Sequence, residues 1–171
     1  MQTSKGNRYE HHLADITANA TNGELIPLGT GYNSQHAEAV DLIIDDGHAV
    51  HAFELKRTAQ DAYTLYWDED DYQKDDLYNL CKFCVEYPRP TYPYVGVRFN
   101  SRQLALTKLY LNDWPDQEQM LEKSVKLSPI DCKVTHGGNL RFYKPETGDW
   151  PGTRLDQKDA QHVLDAIGYQ F

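Results

Sequence analysis

The sequence predicts an α/β domain built on a mixed central β-sheet flanked by helices, and three observations predict it. Two apolar, β-branched-rich runs, Ala39–Ile44 and Val50–Leu55, flank an Asp46-Gly47 pair, a strong short-range hairpin signal. Amphipathic stretches at helical spacing lie on either side of that hairpin, at about 5–19 and 71–86. A further apolar run, Tyr94–Phe99, follows the second stretch. Strands and helices interleaved in this way bury their apolar faces as layers around one sheet.

The elements follow in order. Tyr9, Leu13, Ile16 and Ala20 fall at helical spacing, so Lys5 to about Asn19 reads as a helix. A strand near Glu24–Leu28 leads into the glycine-bearing loop Gly29-Thr30-Gly31. No Gly-Lys-Ser/Thr follows that loop, so it is not a phosphate loop and no nucleotide cofactor is expected. Its small residues would instead let backbone amides come close to a DNA backbone.

If Asp46 and Gly47 form a two-residue turn, Asp45 pairs with His48 and Asp41 lies opposite Ala52. Asp41, Ala52, Glu54 and Lys56 then line one face, with Glu54 diagonal to Asp41 and His51 turned away. The stripe Leu77, Leu80, Cys81, Cys84, Val85 marks a helix over about Asp71–Glu86, which Tyr87-Pro88-Arg89-Pro90 ends. Strands near Tyr94–Phe99 and Leu104–Leu111 complete a core spanning 1–111. The more polar extension 112–171 packs on the same domain, with a turn and strand over Thr135–Lys144 and a capping helix over Asp156–Gly168.

The expected shared face of Asp41, Glu54 and Lys56 carries the chemistry. Mg²⁺ takes oxygen ligands and needs only one or two protein carboxylates beside substrate phosphate, and Mn²⁺ can take its place. Such an ion activates a phosphoryl group for in-line attack, and a nearby lysine steadies the negative charge that develops. The plainer reading is a strand start and an exposed ion pair. Against it, charged residues inside runs as apolar as Leu42-Ile43-Ile44 need a reason to be tolerated. Glu10 flanks the apolar stripe of the first helix, where it could overhang the sheet.

Other constellations are weaker. The acidic run Asp68-Glu69-Asp70-Asp71, with Asp75 and Asp76, fits a helix N-terminus better than a second metal site. Cys81, Cys84, Cys132 and His136 have the ligand types of a zinc site, yet Cys81 and Cys84 sit on a buried stripe. His11 stands beside Glu10 and is a candidate phosphate contact.

These segments resemble the archaeal Holliday junction resolvases of the PD-(D/E)XK nuclease superfamily. Ser4–Glu10 is similar to the family's N-terminal Lys-Gly…Glu motif, and Leu28–Gly31 with Asp41-Leu42-Ile43 to its glycine loop and metal-binding strand. Phe53-Glu54-Leu55-Lys56 is similar to the Glu-x-Lys strand, Tyr72–Phe83 to the helix after it, and Pro93–Phe99 to the next core strand. Val134–Arg141 is similar to a C-terminal stretch of haloarchaeal members. The chain departs from the family at His11, where Arg is usual, at Ile26-Pro27-Leu28, where a basic residue is common, and at Arg57-Thr58, where Ser often follows the lysine.

The resemblance implies a restriction-endonuclease-like fold and a metal-dependent endodeoxyribonuclease that resolves four-way junctions as a C₂ homodimer. Asp41, Glu54 and the Leu55 carbonyl would hold Mg²⁺, Glu10 would join through a water, and Lys56 would stabilise the phosphate. Lys5, Arg8, His11, Thr30, Arg57 and Thr58 would contact DNA. Two alternatives stay open: a repair or restriction-type nuclease that cuts ordinary duplex, and a non-catalytic DNA-binding module.

Composition bounds the partners. The 171 residues, 40% hydrophobic and 12% aromatic, suffice for one domain. No run approaches the roughly 18 apolar residues of a membrane span, and the N-terminus has no signal-peptide core. Three cysteines suggest reduced thiols, so an intracellular protein is expected. A net charge of −9 weighs against DNA binding unless the footprint is locally basic, at Lys5, Arg8, Lys56 and Arg57. Asp outnumbers Glu 17 to 9, a composition that suits a high-salt cytoplasm and so a halophilic archaeon or its virus.

Overall fold

The structure, a computed structural model, describes residues 26–30, 40–67, 76–100, 104–112, 116–126, 131–135, 137–145 and 154–168. The expected helix at 5–19 lies outside the described residues. In chain order the elements are β1 (Ile26–Thr30), β2 (Leu42–Asp45), β3 (Val50–Thr58), β4 (Ala62–Leu65) and α1 (Asp76–Glu86). Then come β5 (Thr91–Phe99), β6 (Leu104–Lys108), α2 (Gln117–Lys123), β7 (Val125–Lys126), β8 (Asp131–Val134), β9 (Leu140–Tyr143) and α3 (Arg154–Ala166).

A six-stranded sheet runs in the order β1-β2-β3-β5-β6-β7, and a three-stranded sheet in the order β4-β9-β8. In the large sheet β3 and β5 are parallel and the other pairs antiparallel, so it is mixed, as the sequence predicts. Parallel neighbours need a long connection, and α1 lies within it and packs on both strands.

Alternation along β3 explains the layers. Val50 and Ala52 join one core cluster with Leu77, Leu80 and Cys81 of α1, Met120 of α2, and Leu65, Leu140 and Phe142 of the small sheet. Phe53 and Leu55 join the other, with Leu104, Leu106 and the α3 residues Val163 and Leu164. Buried Asp159 pins α3 to that second face, accepting the Leu104 amide at 3.0 Å and pairing with Arg98 Nε at 3.2 Å. On α1 the buried stripe is Leu77, Leu80, Cys81, Phe83 and Cys84, while Val85, expected on it, is exposed.

Four expectations change. The hairpin loop spans four residues: Asp45 pairs with Val50, not His48. Its acids hold the wider loop, because Asp46 Oδ1 accepts the amides of His48 and Ala49 at 2.8 and 2.7 Å. The first strand is Ile26–Thr30, and β6 stops at Lys108, beyond which the Tyr110 amide turns to Ser124 Oγ. Elements β4, α2, β7 and β8 were not anticipated. Of these, β7 extends the large sheet, and β4 and β8 flank β9.

Candidate metal centre

The site forms where β2 begins beside β3. Leu42 is the first β2 residue on the ladder, paired with Phe53. Asp41, one residue before it, donates its amide to the Phe53 carbonyl at 3.0 Å. Its carboxylate Oδ2 accepts the Leu55 amide at 2.8 Å. The amide and carbonyl of one strand residue point to the same side, so the Leu55 carbonyl also faces the edge that Asp41 occupies.

The register differs from the expected one by two residues and brings Asp41 beside Glu54, not diagonal to it. The side-chain period of a strand is two, so the shift leaves Asp41, Ala52, Glu54 and Lys56 on the predicted face. The Asp41 and Glu54 carboxyls stand close enough for each to act on the other's charge. Glu54 is only 6% exposed, so its charge is poorly hydrated.

Lys56 Nζ lies 2.9 Å from Glu54 Oε1 and 3.5 Å from Asp76 Oδ1. Asp76 opens α1, and sequence reasoning had read it only as a helix-start acid. It is a member of the site. Tyr63 of β4 is near enough to feel it: burial first, and then the site's acids, raise its phenol against the pull of Lys56. The signal for Tyr63 was present: Ala62-Tyr63-Thr64-Leu65-Tyr66-Trp67 is a short run rich in β-formers.

Electrostatics follow from this packing. Burial first, then the charge of Asp41, pushes Glu54 well above the usual carboxylate range. Burial also raises Asp41 and Asp76. Burial would lower Lys56, but the charges of Glu54, Asp76 and Asp41 outweigh it and raise it. The carboxyl pair therefore titrates as a unit that holds one proton unusually tightly.

Three carboxyls thus face one ammonium in a poorly hydrated corner. That is a deficit of positive charge, set among hard oxygen donors, which suits a divalent cation such as Mg²⁺. Among the described residues no three acidic, histidine or cysteine side chains close a ready-made cage. An ion that needs only one or two carboxylates does not require one. Asp41, Glu54 and the Leu55 carbonyl are the groups that would hold it.

The remaining expected residues are distributed as follows. Lys5, Arg8, Glu10 and His11 lie outside the described residues, and Thr30 is described only as backbone of β1. Thr58 shares the Lys56 face by alternation and accepts the Gln60 amide at 3.0 Å. Arg57 is exposed but lies on the opposite face of the strand, so it is not brought to the acids. Cys81 and Cys84 are buried in the core, where burial pushes both thiols up, and His136 lies outside the described residues.

No family model matches the chain, and no curated protein matches its sequence. Among solved structures it is similar to Hjc, a Holliday junction resolvase from the archaeal hyperthermophile Archaeoglobus fulgidus. The TM-score is 0.47 and the identity 11%, over 93% of this chain and 98% of that one.

Proposed function

We propose that the chain is a Mg²⁺-dependent, structure-selective endodeoxyribonuclease that resolves four-way DNA junctions, working as a homodimer with paired sites. Mn²⁺ is the expected substitute ion. One observation carries the nuclease reading: two neighbouring carboxyls, Asp41 and Glu54, at a strand edge with Lys56 on the same face. The preference for a branched substrate rests on the resemblance of the Lys5–Glu10, Asp41 and Glu54–Lys56 motifs.

The residues divide the work. Asp41 and Glu54 fix the position of the cation, and the Asp41 bond to the Leu55 amide holds that carboxylate still. Bound Mg²⁺ supplies a Lewis acid for the phosphoryl group. Lys56 offers its ammonium to the non-bridging phosphate oxygen as charge builds there. Because it spans Glu54 and Asp76, it keeps an anchor when the Glu54 oxygen is engaged elsewhere.

The test is cleavage of a labelled four-way junction and of its linear arms, with Mg²⁺ at low and molar salt. Wild type should place paired, symmetric nicks in the junction alone, and Glu54→Gln should abolish them. Equal cutting of linear duplex would replace this reading with a general nuclease, and binding with no cutting would sink the enzyme.

A further inference from the structure

The outer face of the small sheet carries a cluster of cations that the metal centre does not use. The registers set Lys133 opposite Arg141, and Arg141 opposite Thr64. Leu65, Leu140 and Phe142, the alternate positions, belong to the core. Lys133, Arg141, Tyr143 and Thr64 therefore face outward together. Lys133 Nζ is 5.5 Å from the centre of the Tyr143 ring, and the Arg141 guanidinium carbon is 5.6 Å from the same ring. Arg141 Nη1 donates to Thr64 Oγ1 at 2.7 Å, which fixes the guanidinium. Lys133 is exposed, and Arg141 and Tyr143 are half-exposed.

Like charges directly opposite on adjacent strands destabilise a sheet. This chain has a net charge of −9, so acids to separate or neutralise two opposed cations are plentiful. Neighbouring Lys144 does lie near one, 3.9 Å from Asp61. The described contacts of Lys133 and Arg141 are to a tyrosine and a threonine, and the register sets Asp131 opposite that tyrosine, beyond the two cations. Such a pair gains from an anionic ligand that lies across both.

We propose that this face binds the backbone of a nucleic-acid strand, with Lys133 and Arg141 on phosphates and Tyr143 as a stacking surface for a base or sugar. Cations that follow the backbone beside an aromatic platform are the means by which proteins hold strands without reading sequence. The guanidinium fork suits phosphate geometry. The choice of nucleic acid among polyanions rests on the nuclease reading. The location does not: Tyr63 and Thr64 are successive residues of β4, one packed against the core cluster that Ala52 joins on the Glu54 face and the other under Arg141. The surface is thus a second contact, behind the sheet that borders the site.

The test is fluorescence anisotropy with labelled four-way junction and single-stranded DNA, the full-length protein, and EDTA to prevent cutting. Lys133→Gln/Arg141→Gln should lower affinity by about tenfold or more at low salt. It should also reduce the slope of log K against log salt by about 1–2, at roughly 0.7–0.9 per phosphate contact. Tyr143→Leu should weaken binding about tenfold with the slope unchanged. Lys133→Gln alone, at an exposed position, keeps the Arg141–Thr64 bond and should lose about half of the slope change even if the double variant folds poorly. Unchanged affinity and slope in these variants overturn the proposal, as does wild type that binds no DNA. Junction cleavage is scored in parallel with Mg²⁺. Cutting with an unchanged slope would remove the surface and leave the nuclease; a weakened variant of a protein that never cuts would do the reverse.

Discussion

The Asp41 carboxylate accepts the Leu55 amide at 2.8 Å, taking the place that a backbone carbonyl of β2 would fill in a longer strand. One side chain therefore closes the sheet and forms half of the carboxyl pair. Asp41→Ala leaves the Leu55 amide without this partner and should cost about 1–3 kcal/mol. Asp41→Asn can keep the bond through its amide oxygen while removing a charge. It should unfold at the same or higher urea concentration as wild type, yet lose Mn²⁺ affinity by calorimetry. If both variants were equally destabilised, the amide bond would not be the reason.

Glu54 governs how stability varies with pH when no divalent ion is present. Burial and Asp41 raise its folded-state pKa above the ordinary value of 4.5. The folded chain then binds the proton more tightly than the unfolded one. That contribution is fully present below about 4.5 and is lost as pH rises through the raised value. Melting temperature in EDTA should therefore fall from mildly acidic to neutral pH, and Glu54→Gln should flatten the fall. Added Mg²⁺ should raise the melting temperature more at pH 8 than at pH 5, since the proton and the ion compete for the same carboxyls. A Mg²⁺ shift that is the same at both values would place the ion elsewhere.

Asp76 acts through Lys56 and is a positioning residue. Asp76→Asn removes the anchor 3.5 Å from the ammonium but leaves Glu54 in place. Junction cleavage should slow by about tenfold, short of the roughly 10²–10³ lost with a direct charge-stabilising donor. KM and Mn²⁺ affinity should stay within about twofold. A purely structural role would instead appear as a lower melting temperature with unchanged turnover in the folded fraction.

The sequence revealed some of this architecture and hid the rest for physical reasons. The Asp41…Glu54-x-Lys56 face was legible because alternation along a strand tolerates a register error of two residues. The same error concealed how close Asp41 and Glu54 come, since the Asp45 and Asp46 side chains widen the turn in a way that the Asp-Gly signal does not report. Asp76 was misread because an acid at a helix start has a sufficient local explanation. Only tertiary packing of α1 on β3 brings it to Lys56. The small sheet was hidden for a similar reason: β4 and β9 are about 80 residues apart, and β4 is only four residues long.

At the other end of β3, the hairpin loop is fastened by a buried chain of hydrogen bonds with its own pH signature. Tyr94 Oη and His51 Nδ1 are 2.8 Å apart, and His51 Nε2 and Asp46 Oδ2 are 2.7 Å apart. Burial holds His51 below its usual range, so the neutral ring accepts from Tyr94 and donates to Asp46. Burial pushes Asp46 up, but His51 and the Ala49 and His48 amides outweigh it and hold its pKa at about 2. The Asp46 contribution is present above its unfolded value of 3.8 and is lost as pH falls through about 2. His51 adds a loss at higher pH, because the unfolded chain takes up a proton below about 6.5 that the folded chain resists. Asp46→Ala should therefore cost about 1.5–3 kcal/mol at neutral pH, the range for a bond to a charged group. A ¹⁵N-edited NMR titration should show the His51 ring neutral and protonated at Nε2 as pH passes down through 6.5. A ring that titrates at or above 6.5 would mean that the charge of Asp46, not burial, dominates this corner of the fold.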